Sequence, residues 1–389
     1  MKQQFSVGID IGTSTTRVII SSGTSIIGVG TSVTSGMRHG YVSNREEVVA
    51  SLKKAIQSVE REAKVKVRTA SLVIGGVGIG CESATGTSVV SRADSVITKL
   101  DIEKAITDAE GQLELKNKTI LHALPTKFNV DGKELPGRPD GVQGLKLEVQ
   151  TLFVTCFSQH VDDLVSVVQE LGIRVSELYP SAVVLQSILL SELQRNLGCV
   201  LVDIGTETTT VCVYENNLLT ATHVFPIGAL DITKDIALGL RISPEEAENV
   251  KLGAVSFTAV PKKKLDEIIE ARLSDIFDLI NKYLKKIGRS ALLPAGAIIV
   301  GGGAMIADID VVAKTGLKIP ARRATITIPV TGTTTAVGKN GVITDPRFAV
   351  AYGASIYNEG RSARKTSTRE VDTEGIITAI RHFFKQLMP

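Results

Sequence analysis

Asp10 and Asp203 each close a run of apolar residues and stand before Ile-Gly-Thr, in "SVGIDIGTSTTRVI" at 6–19 and "VLVDIGTETTTVCV" at 200–213. In such a turn the backbone N–H groups form an anion-binding nest, and a carboxylate beside it can hold a magnesium ion through water. Two copies facing each other would clamp a polyphosphate, each supplying one carboxylate to the metal. One copy would grip one side alone. A third glycine turn, "IIVGGGAM" at 298–305, follows another apolar strand, and its glycines let backbone approach a ligand closely. Singly, a Thr-rich hairpin or a Gly-Gly-Gly turn is as readily structural. The three together, in this order, point to a nucleotide held between two related domains.

The surrounding elements must bring these turns together. Phe5, Val7, Ile9 and Ile11 alternate on one face, so the first turn joins a strand to a returning strand, "RVII", with "SIIGVGTSV" as a third. Val48, Val49, Leu52, Ile56 and Val59 lie at helical spacing within 46–63, and "ASLVIGGVG" returns to strand. From residue 83 to about 160 the text changes to short strands, one helix in "DIEKAITDAEGQLEL", a Pro/Gly-rich loop and the strand "KLEVQTLFVTCF", a small α+β insert. Helical "VDDLVSVVQELG" and "SAVVLQSILLSELQRNLG" lead into the second copy of the opening motif. Residues 243–290 are mostly helical; strand-like "ATITIPV" and a short helix in "PRFAVAYGASIYN" complete an α/β body.

Composition narrows the chemistry. At 389 residues the chain exceeds one ordinary core, and 43% hydrophobic with 22% charged residues fits a folded globular protein. Cys81, Cys156, Cys199 and Cys212 lie singly in apolar segments, which predicts buried free thiols rather than a metal site or disulfides. The five histidines are dispersed, and a net charge of +3 with 4% aromatics and no tryptophan leaves no nucleic-acid footprint. No apolar run approaches the roughly 20 residues of a spanning helix, and the N-terminus lacks the order of a secretory signal. The body is therefore expected in the cytoplasm.

After Asn358 comes a polar, aperiodic stretch expected to be a disordered linker over 359–374, and 375–389 turns apolar again. Ile376, Ile377, Ile380, Phe383, Phe384, Leu387 and Met388 share one helical face, while Arg381, His382, Lys385 and Gln386 take the other. Such a helix suits the surface of an anionic bilayer, or else docks on the body; a long polar tether speaks against docking.

These residues resemble the actin, Hsp70 and sugar-kinase superfamily, and within it the FtsA family of bacterial cell-division proteins. The likeness runs through "SGMRHGYVSN", "ILHALPTKFNVDGKELPG", "GLKLEVQTLFVT", "IGALDITKDIALGL", "EEAENVK" and "EIIEARLSDIF". It implies an actin-like two-domain ATPase fold with an FtsA-type insert subdomain and a C-terminal amphipathic helix. The implied subdomains are IA (1–82, 161–198, 346–358), IC (83–160), IIA (199–242, 291–345) and IIB (243–290). It further implies ATP and Mg2+ as cofactors. Gly12, Thr13, Ser14 and Thr15 would form the first phosphate loop and Gly205, Thr206, Thr208 and Thr209 the second. Gly301, Gly302, Gly303 and Ala304 would meet the α-phosphate and adenosine, and Glu248 and Lys251 the ribose and adenine, although by themselves they read as an ordinary ion pair. Asp10 and Asp203 would hold magnesium through water. The implied partners are FtsZ, further copies of the chain in a head-to-tail polymer, an anionic membrane surface reached through Ile376, Ile377, Ile380, Arg381, Phe383, Phe384, Lys385 and Leu387, and other division proteins. The implied location is the cytoplasmic face of the inner membrane at the division site. "PKKK" at 261–264 is either a solvated loop or part of a surface for an acidic peptide.

Two departures from the family pattern stand out. Its second loop usually reads Asp-Ile-Gly-Gly-Gly-Thr-Thr-Asp, whereas this chain has Thr206, Glu207 and Thr210 in place of two glycines and the last aspartate. A carboxylate at Glu207 can bind magnesium and take part in catalysis, or it can repel the nucleotide. Before Pro180, where hydrolysing members often carry Glu or Gln, stands Tyr179, a poor base at neutral pH; Glu177 is a weak substitute. ATP is thus expected to bind well and to be hydrolysed slowly. Two rival readings are a PilM-type pilus adaptor, which would lack the amphipathic tail, and a small-molecule kinase, which would need an acceptor pocket and a catalytic carboxylate.

Overall fold

The computed structural model describes residues 5–253, 262–331 and 341–362. The first half opens with β1 (Ser6–Ile11), β2 (Thr15–Ser22) and β3 (Ser25–Val33), an antiparallel meander. A two-residue hairpin follows, β4 (Met37–Arg38) with β5 (Tyr41–Val42). Then comes α1 (Arg45–Ala63), capped by the Asn44 side chain on the Glu47 N–H, with Val48, Leu52, Ala55, Ile56 and Val59 buried on one stripe. β6 (Thr69–Ile74) returns parallel to β1.

Between β6 and its next neighbour in the sheet, the chain builds a separate layer. β7 (Gly80–Val89), α2 (Lys99–Gly111), β8 (Lys118–Val130), β9 (Lys133–Leu135) and β10 (Lys146–Phe157) form an antiparallel sheet of order β7-β10-β8-β9. This insert has its own core, including Ile97, Ile102, Ala105, Phe128, Leu147 and Val149. α3 (Ser158–Glu170) leads to β11 (Arg174–Pro180), which completes the first sheet as β11-β6-β1-β2-β3. The apolar stretch after Pro180 is two helices rather than one, α4 (Ser181–Leu189) and α5 (Glu192–Leu197). Leu190 is extended, with ψ 127°, and Ser191 starts a new capping box with Gln194.

The second half repeats the plan. β12 (Cys199–Ile204), β13 (Thr209–Glu215) and β14 (Leu218–Phe225) are again an antiparallel meander. The helices α6 (Ala229–Leu240), α7 (Pro244–Lys251) and α8 (Lys262–Lys286) follow, in line with the helical reading of 243–290; Lys262, Lys263 and Lys264 open α8. β15 (Ala297–Val300), α9 (Ile309–Leu317) and β16 (Ala321–Arg323) then give the order β14-β13-β12-β15-β16, strand for strand that of the first sheet. Of "ATITIPV", only β17 (Ile328–Pro329) is strand, paired with β18 (Val342–Ile343). The last described element is α10 (Ala349–Ser362), which runs four residues past Asn358, into the segment expected to be linker. The remaining linker and the amphipathic segment with its membrane-facing residues lie outside the described residues. Among the described residues no helix is long and apolar enough to cross a membrane.

One face of the second sheet, with Val200, Val202, Val211 and Val213, packs on α6 and α8 through Ile232, Ile236, Ile276 and Phe277. Its other face, with Leu201, Cys212 and Tyr214, shares a core with α4 through Ala182 and Leu185. The two halves are thus joined on one side, and their turns face each other on the other.

Candidate nucleotide site

The repeated motif folds into two equivalent hairpins. Gly12 N–H donates to Thr15 O at 3.2 Å and Gly205 N–H to Thr208 O at 2.8 Å, the same turn in both copies. α6 holds the second turn from behind: Ala229 N–H donates to Gly205 O at 2.9 Å and Leu230 N–H to Thr206 O at 2.8 Å. The two turns meet across one cleft, where the Thr206 hydroxyl donates to Ser14 Oγ at 2.8 Å. Gly12, Thr13, Ser14 and Thr15 line it from one half, Gly205, Thr206 and Thr208 from the other, and Gly301 and Gly302 beside them.

Asp10 and Asp203 stand half-buried on the cleft floor. Burial pushes the Asp10 carboxyl above its ordinary range, and Arg17 pulls it partly back. Asp203 is pushed up to about 7, first by burial and then by the nearby Asp10 carboxylate, with Arg17 opposing. Two carboxylates on the cleft floor that repel each other, balanced by one guanidinium, are a donor set suited to a hydrated divalent cation with phosphate oxygens. Gly301 has φ +90°, and a Cβ there would run into Asp203 Oδ1; a Cβ at Gly303 would run into the side chain of Ile204. The third glycine turn therefore packs directly against the second aspartate.

Other predicted residues sit elsewhere. Thr209 is buried, its hydroxyl on Ile227 O at 2.8 Å. Gly303 and Ala304 lie buried behind the cleft wall. Lys251 Nζ contacts Glu248 Oε2 at 2.7 Å, Thr233 Oγ1 at 2.8 Å and Ala229 O at 3.1 Å, so the pair is engaged at the α6–α7 junction and is not among the cleft-lining residues. The Glu207 carboxylate leaves the cleft and accepts from His39 N–H at 2.6 Å. Tyr179 is buried, its ring 4.8 Å from that of Tyr357, while Glu177 lies on the exposed side of β11. Cys156, Cys199 and Cys212 are buried free thiols pushed up to about 12 by burial; Cys81 is only half-buried, its Sγ on Thr222 O at 3.6 Å.

Family models match in two places: "Cell division protein FtsA" over residues 200–353 and "SHS2 domain inserted in FTSA" over residues 78–155. The cell division protein FtsA of Bacillus subtilis (strain 168) is 31% identical over 337 residues, covering 80% of this chain and 76% of the relative. The chain belongs to the FtsA family. FtsA of Escherichia coli (strain K12) is 27% identical over 341 residues, 79% of this chain and 81% of the relative. Among solved structures, a PilM-PilN type IV pilus biogenesis complex aligns with TM-score 0.68 at 16% identity, covering 91% of this chain and 98% of that one. MreB 5 of Spiroplasma citri bound to AMPPNP aligns with TM-score 0.55 at 13% identity, covering 94% and 98%. The fold is actin-like, and the β7–β10 layer is the insert of the FtsA family.

Several cleft residues of this FtsA-family chain were not singled out from sequence. Arg17 faces Asp10 across the β1–β2 register and lies 5.8 Å from the centroid of Phe348. A lone arginine between Thr16 and Val18 in a strand bound for the core was the available signal. Arg347, locked on Asp345 by hydrogen bonds of 2.6 to 3.0 Å, and the Gly75–Gly76 loop after β6 carried none, because only the tertiary fold brings them to the cleft.

Proposed function

We propose that this FtsA-family chain binds ATP with Mg2+ in the cleft, polymerises head to tail on the cytoplasmic face of the inner membrane, and tethers FtsZ filaments there as a scaffold for division. The observation that carries the reading is the pair of matched hairpin turns, with Asp10 and Asp203 beneath them. Gly12 to Thr15 and Gly205 to Thr208 would hold the β- and γ-phosphates from either side, and Arg17 would offset their charge. Asp10 and Asp203 would hold the magnesium ion, which neutralises phosphate charge when bound. With Tyr179 packed in the core, hydrolysis would be slow and would serve as a switch. A kinase reading lacks a general base at that position.

A single short amphipathic helix binds a bilayer only marginally, and many copies on one rigid filament remedy this through effective concentration. An open head-to-tail contact, heterologous in symmetry, supplies such an object. The test is co-sedimentation with anionic vesicles, with and without Mg-ATP, for the full chain and for a chain ending at Glu374. The full chain alone should pellet, with ATP steepening the dependence on protein concentration. Equal pelleting of both chains, or of neither, would reject the tail as the anchor and favour a pilus-type adaptor.

A further inference from the structure

We propose that Glu207 is a positioning residue that clasps the two halves together across the cleft. It stands in the second turn between Thr206 and Thr208, both of which line the cleft, yet its own side chain is only 11% exposed and points the other way. Its Oε2 accepts from His39 N–H at 2.6 Å, its backbone carbonyl accepts from His39 Nδ1 at 3.1 Å, and Arg38 Nε stands 3.8 Å from Oε1. All three contacts come from the β4–β5 hairpin of the first half.

The hairpin tip is built to receive them. His39 and Gly40 have φ of 49° and 89°, the left-handed pair of a two-residue turn. On its other side the tip rests on the Gly75–Gly76 loop: a Cβ at Gly40 would meet Gly76 N at 3.0 Å, and Val77 N–H donates to His39 O at 3.4 Å. The tip is therefore wedged between the glycine loop of one half and the carboxylate of the other, with the Ser14–Thr206 hydroxyl contact alongside. A charged acceptor on a backbone N–H is among the stronger hydrogen bonds, and opening the cleft must break it. A glycine there, as in the family pattern, would lack the carboxylate that accepts from His39 N–H and faces Arg38, and would keep only the backbone carbonyl contact.

The clasp itself is read from contacts within the chain, while its effect on nucleotide release rests on the ATP reading above, so the test has two separate arms. In nucleotide-free protein, hydrogen exchange of the segment 37–42 is compared among wild type, Glu207→Gly and Glu207→Gln. Glu207→Gly should exchange about tenfold faster there, with Glu207→Gln in between because its amide oxygen still accepts from His39 N–H. In the second arm, release of a fluorescent ATP analogue should quicken by about the same factor in Glu207→Gly. If that variant folds and the segment exchanges as in wild type, the clasp is refuted; if it does not fold, the same comparison with Glu207→Gln decides. Failure of wild type to bind the analogue would remove the nucleotide reading and leave the exchange arm intact.

Discussion

The floor of the cleft carries an electrostatic cost that a bound cation would remove. Asp203 has a carboxyl pushed up to about 7, far above its unfolded value near 3.8, because burial and the Asp10 carboxylate both disfavour its charge. An acid raised in this way binds more protons folded than unfolded over that window, so it makes stability fall as pH rises from about 4 to about 7. The loss is at most a few kcal/mol, since one pKa unit is about 1.4 kcal/mol and the cleft admits some water. Asp203→Asn in metal-free protein should therefore melt higher than wild type at pH 7.5 and lose the advantage by pH 4. Thermal denaturation at the two pH values checks this, and an Asn variant less stable at pH 7.5 would sink it. The carboxylates were legible in the sequence because each belonged to a repeated local motif. Arg17 was less so, since its role depends on the register that sets it opposite Asp10.

At the scale of elements, the duplicated hairpins were readable because their turns are local: strand alternation, glycine and small hydroxyl residues suffice. β10 and β3 likewise follow directly from "KLEVQTLFVTCF" and "SIIGVGTSV". β11 was not readable from "RVSELYP", where Ser176 and Glu177 interrupt the apolar pattern and strand structure comes from parallel pairing with the distant β6, Val175 opposite Ala70 and Leu178 opposite Leu72. "ATITIPV" erred the other way, since of its residues only Ile328 and Pro329 join a strand ladder, with β18. The insert is a unit by its own packing: α2 lies so close on β7 that a Cβ at Gly86 would collide with Ala105 O and with Ala109. Gly86→Ala should lower the stability of this layer by about 1–3 kcal/mol through overpacking. Hydrogen-exchange protection should then fall within 80–157 and hold in β12 and β15. A uniform loss across the chain would mean that the insert does not open on its own.

The whole molecule combines a permanent joint with a breakable one. On the cleft side the halves meet through a few polar contacts, the Glu207–His39 bond and the Ser14–Thr206 hydroxyl pair. On the opposite side they share apolar core, with α4 of the first half set against Leu201, Cys212 and Tyr214 of the second sheet. α4 can do this because "SAVVLQSIL" is apolar nearly all round, with Ala182, Val183, Val184, Leu185 and Leu189 buried. Tyr214 is a polar tie in that joint: its ring is fully buried, and its hydroxyl donates to Ala182 O at 2.5 Å. Parting the α4 side would cost more than parting the cleft side, because separating a broad apolar core costs more than exchanging a few hydrogen bonds for water. Tyr214→Phe keeps the ring but strips the bond, leaving a buried carbonyl short of a donor. It should cost about 1–2 kcal/mol in urea unfolding. Nucleotide-free exchange should quicken in α4 and β13 together, since the tie belongs to both halves. A change confined to β13, or a stability within about 0.5 kcal/mol of wild type, the usual range of a neutral substitution, would show that the joint is held by apolar contact alone.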